Sequence, residues 1–130
     1  MDVEYLNTDL EIESSDDLSI IVEEFGEDVH VLFNGRLQKH NMASFELGIP
    51  FLGADEAISH FCVLVDNLTP NARKAWDHCV SRVFNVGFQS GDSSNTFRAE
   101  IRSATLRKVA ASGASIIVTV YPTGLTSAMT

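Results

Sequence analysis

The sequence predicts an α+β domain: one mixed β-sheet of about six strands, with helices packed mainly on one face, ferredoxin-like in kind. Two observations predict it. Leu10–Phe33 and Ala99–Tyr121 share one plan, an alternating strand, a serine, a helix, a glycine and an apolar strand. Between them lie a hairpin-like stretch and a helical pair. Each plan reads as a β-α-β-like unit that crosses over to give a parallel strand pair.

The elements follow in order. Leu10 and Ile12 alternate with Asp9, Glu11 and Glu13, the two-residue period of a half-buried strand. Ser14–Asp17 offers capping groups, and Leu18, Ile21, Val22 and Phe25 then form a helical stripe that Gly26 ends. Val29–Phe33 reads as a strand; Asn34-Gly35 is a hairpin signal, but Arg36–Asn41 is polar and the next strand, Met42–Gly48, starts late, so either the hairpin is long or its loop is wide. Ile49–Gly53 is an apolar connector whose Phe51 and Leu52 either cover the core or stand out as a contact. A helix over about 54–68 carries Ala57, Ile58, Phe61 and Val65 on one face, and Thr69-Pro70 restarts a second that buries Trp76. Ser81–Gln89 is a strand. In Thr96–Pro122, Phe97, Ala99 and Ile101 alternate with charged residues as a sixth strand. Ser103 caps a helix that buries Leu106, Val109 and Ala110, and Gly113 stops it. Ser115–Tyr121 is apolar enough to be covered on both sides. Residues 1–122 therefore form one domain and 123–130 a flexible tail.

Composition narrows the functional classes. The net charge is −9, and residues 1–28 hold eleven of the eighteen acids and none of the nine basic residues. That distribution speaks against nucleic acid, which needs a basic footprint, and suits a basic protein partner. No apolar run has the length of a membrane span and the N-terminus lacks a signal-peptide pattern, so the expected setting is cytoplasmic, with no membrane contact. There is no phosphate-binding or dinucleotide glycine motif, and no CxxC. His30, His40, His60 and His78 show no metal-ligand spacing, so no metal and no cofactor is expected.

The candidate partner-binding residues are Asp16, Asp17, Glu23, Glu24, Glu27 and Asp28. Asp16 and Asp17 suit a helix start. Glu23 and Glu24 fall in the last turn, where acids oppose the helix dipole without evident local gain. A solvated acidic face is the plainer account of the same residues. His60, Asp77 and His78 are the candidates for a second reading, a small enzyme or ligand-binding domain with a pocket between the sheet and helices 54–79. A third reading is a self-associating structural subunit, a homodimer paired through an unpaired edge strand. No catalytic set is recognisable, so whether the chain is an enzyme stays open.

The stretch FRAEIRSATLRKVAASGASIIVTVY, with SSDDLSIIVEEFG near the N-terminus, resembles an uncharacterised family of small bacterial α+β domains whose members often neighbour toxin genes, some of them immunity-type proteins. The Gly–hydrophobic–x–Pro that usually follows the first helix is replaced by Gly26-Glu27-Asp28-Val29. The resemblance implies a toxin-neutralising or regulatory binder; with the acidic segment, the leading reading is a non-enzymatic binder, concretely an immunity-type inhibitor of a cognate toxin, with a basic toxin domain as partner.

Overall fold

The structure, a computed structural model, describes residues 1–51 and 53–123. The element order is β1 (Glu4–Ser14), α1 (Ser19–Phe25), a 3-10 turn (Gly26–Asp28), β2 (Val29–Leu37), β3 (His40–Leu47), α2 (Ala54–Asp66), α3 (Pro70–Asp77), β4 (Ser81–Gln89), α4 (Ser103–Ala111) and β5 (Ser115–Tyr121). The five strands form one mixed sheet in the order β2-β3-β1-β4-β5. The fold class is α+β, as the sequence predicts.

The first unit does not give an adjacent parallel pair. β3 pairs antiparallel with both β1 and β2, so it separates the two strands that α1 connects. The hairpin is the long alternative: β2 and β3 pair out to Leu37 and His40, and the chain reverses at Gln38-Lys39, with Gln38 at φ 53°. Asn34 and Gly35 lie inside β2.

The sixth strand is absent. Thr96–Ile101 has no ladder partner, because β1 and β5 already occupy both edges of β4. The segment instead crosses above the sheet, where Phe97 packs edge-on against Phe88 at 5.4 Å and the Arg102 amide donates to Asp55 Oδ1 of α2 at 2.9 Å. That bond takes the place of the serine cap expected at Ser103. The second crossover unit is accordingly β4-α4-β5, whose strands pair in parallel from Val83/Ser115 to Gln89/Tyr121 without irregularity.

The core lies between the sheet and the helices. Leu10 and Ile12 of β1, Ala43 and Phe45 of β3, and Phe84 and Val86 of β4 point into it and are buried. They meet Ile21 and Phe25 of α1, Ile58, Phe61 and Val65 of α2, and Trp76 of α3. α3 starts where Thr69-Pro70 predicts, the Thr69 hydroxyl accepting from the Ala72 amide. It ends at Asp77, so Cys79 is buried just beyond the helix. Gly26 and Gly113 take positive φ, 53° and 73°, and stop α1 and α4 as expected. α4 turns a different face inward: Thr105 and Val109 are buried while Leu106 is exposed.

β5 is a further departure. Its apolar sequence predicts a covered strand, but it lies at the sheet edge and every one of its residues is exposed or half-exposed. Apolar content reports a preference for burial; strand order decides whether burial is supplied. Leu52, expected in the apolar connector, and residues 124–130, expected in the tail, lie outside the described residues.

Candidate functional site

Among the described residues, no element covers the face of the sheet opposite the helices. Strand alternation places Asp9, Glu11 and Glu13 of β1 there, because Leu10 and Ile12 point the other way. The ladders extend the row across the sheet: His30 stands opposite Glu46, Glu46 opposite Asp9, and Asp9 opposite Asn85. Glu11 and Glu13 stand opposite Ser44 and Met42. The Asn85 side chain donates to Glu11 at 3.4 Å and accepts from the Thr119 hydroxyl at 2.9 Å.

Four half-buried carboxylates therefore share one face, and no lysine or arginine of the five strands joins them. The strand arginines are on the other side: Arg82 donates to the carbonyls of Trp76, Cys79 and Gly113, and Arg36 pairs with Asn41 in the opposite phase. Like charges directly opposed in a ladder are destabilising. Burial, then Glu46 and Glu11, pushes the Asp9 carboxyl up to about 6.

Past Asp9 and Glu46 the strands part. β1 continues along β4 to Glu4, while β3 ends at Leu47 and the chain turns away through Gly48. The gap is a cleft of about 610 Å³, lined among others by Tyr5, Asn7, Thr8, His30, Glu46 and Tyr121. The carbonyls of Glu27 and Asp28 pack on Gly48, one of its walls, and Asp28 accepts from the Gly48 amide at 2.9 Å.

The six acids expected to bind a partner divide into two groups. Three have tasks within the chain. Asp16 contacts His78 Nδ1 at 3.2 Å, and Asp17 accepts from the Ser19 amide at 2.9 Å, which holds its carboxyl below the usual range. Glu24 accepts from the Thr69 amide at 2.9 Å and from its hydroxyl at 2.5 Å, placing a carboxylate at the N-terminus of α3. The local gain that α1 alone did not show is thus supplied by its neighbour. Glu23, Glu27 and Asp28 are exposed, and their side chains accept no hydrogen bond among the described residues. Glu27 and Asp28 flank the cleft; Glu23 stays on α1.

His60, Asp77 and His78 are not brought together. His60 packs on Phe51 at 5.2 Å, Asp77 pairs with Arg73 at 3.2 Å, and His78 turns to Asp16. Beneath α2 and α3 the space is filled by Ile58, Phe61, Val65 and Trp76. Among the described residues no three His, Cys, Asp or Glu side chains gather as a metal-binding group, and no helix is long and apolar enough to cross a membrane. Sequence reasoning missed all four carboxylates of the sheet face as site residues: Asp9, Glu11 and Glu13 it read only as the polar phase of the first strand, and it did not single out Glu46. Its signal was the alternation in Ala43–Leu47, but only the register places it against Asp9.

Compared with family models, with curated proteins and with solved structures, the chain matches none of them.

Proposed function

We propose that this chain is a non-enzymatic protein-binding module that engages a basic partner through the open face of its sheet, around Asp9, Glu11, Glu13 and Glu46, with Glu27 and Asp28 at the rim. One observation carries the reading: Asp9 and Glu46 are opposed and half-buried, and no lysine or arginine of the five strands shares their face. Such an arrangement costs stability in the free chain, and a lysine or arginine brought by a partner removes that cost on binding. The concentration of acids before residue 29 supports the same class of partner by steering its approach. The narrower form, an immunity-type inhibitor of a cognate bacterial toxin, rests on the resemblance, mainly that of Phe97–Tyr121, and the segment that opens that stretch is not a strand here.

The test neutralises the face in the full chain with D9N, E11Q, E13Q and E46Q, against a control carrying E23Q, the exposed acid of α1 that the proposed contact leaves out. Association with a basic protein co-purified from the source cell is followed by stopped flow at two salt concentrations. The face variant associates about tenfold or more slowly, with a flatter salt dependence. A slowed control beside an unchanged face variant moves the contact to α1. Two unchanged rates overturn the electrostatic reading.

A further inference from the structure

The two edges of the sheet are not alike. β2, at one edge, is interrupted by a bulge between Val31 and Phe33 and carries His30 and Arg36, the devices that protect an edge from pairing with other chains. β5, at the other, has no bulge, no proline and no charged residue in Ser115–Tyr121. Its side chains are exposed on both faces: Val118 by 60% and Val120 by 56% on the helix side, Ile117 by 48% and Tyr121 by 40% on the open side. On the helix side the patch continues inward, since Val120 stands beside Phe88, on which Phe97 packs.

The backbone direction of each β5 residue follows from one bond. The Ser90 amide donates to the Tyr121 carbonyl at 2.9 Å, so Tyr121 faces β4, and by alternation so do Ser115, Ile117 and Thr119. The amides and carbonyls of Ile116, Val118 and Val120 therefore point away from the sheet. These three sites are symmetric about Val118. Two copies laid antiparallel bring Val118 opposite Val118 and Ile116 opposite Val120, each a hydrogen-bonded pair that exchanges both bonds.

We infer that β5 pairs with β5 of a second copy of this chain, antiparallel and centred on Val118, to give a closed two-fold dimer with a ten-stranded sheet. A second copy fits this edge for reasons of charge and closure. Each copy carries −9, and β5 is the edge strand that brings no charge to the contact. A two-fold pairing uses the same strand twice and leaves no further unguarded edge, so it closes rather than propagating. Seven residues make a seam about 23 Å long. With its flanking side chains it buries on the order of 1,000 Å² in total, the low end of specific interfaces, so the dimer is weak and concentration-dependent. The two-fold axis is perpendicular to the sheet, which puts both acidic faces on one side. The pairing does not depend on what binds that face.

Sedimentation equilibrium of the full chain, from about 1 to about 300 µM, reads the mass. It rises toward twice 14.2 kDa with concentration. Raising salt from about 20 to about 500 mM strengthens the dimer by screening the net charge, the opposite of its effect on a basic partner. V118P removes only an outward amide and V118K sets two like charges at the axis; both stay folded by circular dichroism and remain monomeric. V118K mixed with V118E restores the dimer, because the substituted side chains meet across the two-fold. Wild type that stays monomeric throughout overturns the inference. So does a dimer that survives both V118P and V118K, or a V118K and V118E mixture that stays monomeric.

Discussion

Asp9 and Glu46 face each other across the β1–β3 ladder, and burial, with that opposition and Glu11 added to it, lifts the Asp9 carboxyl from its ordinary 3.8 to about 6. The sign for stability follows directly. Between those two values the folded chain holds a proton that the unfolded chain has lost, so stability falls as pH rises through this window and levels off above it. Allowing for solvent screening at a half-buried site, the loss is about 1–2 kcal/mol. D9N is expected to be more stable than wild type at pH 7 by about 1 kcal/mol, and to lack most of this slope. Urea unfolding at pH 4.5 and pH 7 checks both.

Glu24 joins α1 to the start of α3 through two bonds from Thr69. E24A and T69A are each expected to cost about 1 kcal/mol, with a coupling of at least about 0.5 kcal/mol in the double-mutant cycle. Additive losses would show that the contact contributes nothing.

Arg82 ties β4 to the ends of α3 and α4, donating to Trp76, Cys79 and Gly113 carbonyls at 2.8, 3.0 and 3.1 Å. R82A leaves those carbonyls short of partners and lowers stability by about 2–3 kcal/mol. G113A acts at the same place in another way. Gly113 sits at φ 73°, and an added Cβ would come within 2.8 Å of the Arg82 guanidinium. Its cost is about 1–2 kcal/mol from the backbone alone. Thermal melts of the two variants separate these effects from wild type.

Cys62 and Cys79 are free, buried thiols, each pushed up to about 11 by burial. A thiol-disulfide probe at pH 8 is expected to react about a hundredfold more slowly with the native chain than with the same chain in denaturant. Native-state modification at the rate of an exposed thiol would contradict the packing around α2 and α3.

What was legible in the sequence is what is decided locally. The helices announced themselves through the period of Leu18–Phe25 and Ala54–Val65, through the Thr69-Pro70 start, and through Gly26 and Gly113 as stops. Misreadings arose where a distant residue decides. Phe97, Ala99 and Ile101 alternate like a strand, yet β1 and β5 had taken the edges that a strand there would need. Ser115–Tyr121 reads as buried, but nothing in those seven residues reveals that the sheet ends with them. Asp9, Glu11 and Glu13 were visible as the polar phase of β1; that Glu46 completes the row depends on a register spanning thirty-seven positions. Glu24 looked misplaced because the helix terminus it serves begins forty-five residues later.

The position of β1 has a consequence for biosynthesis. It is the first strand to be made and the middle strand of the sheet, and its neighbours are β3 and β4. Its ladder with β4 runs from Ser81 to Gln89, so on the ribosome one edge of β1 waits unpaired until Gln89 has been made. Asp9, Glu11 and Glu13, set between and beside Leu10 and Ile12, are charges of the kind that keep a waiting strand from pairing with the wrong chain. The carboxylates that strain the finished sheet thus protect the unfinished one.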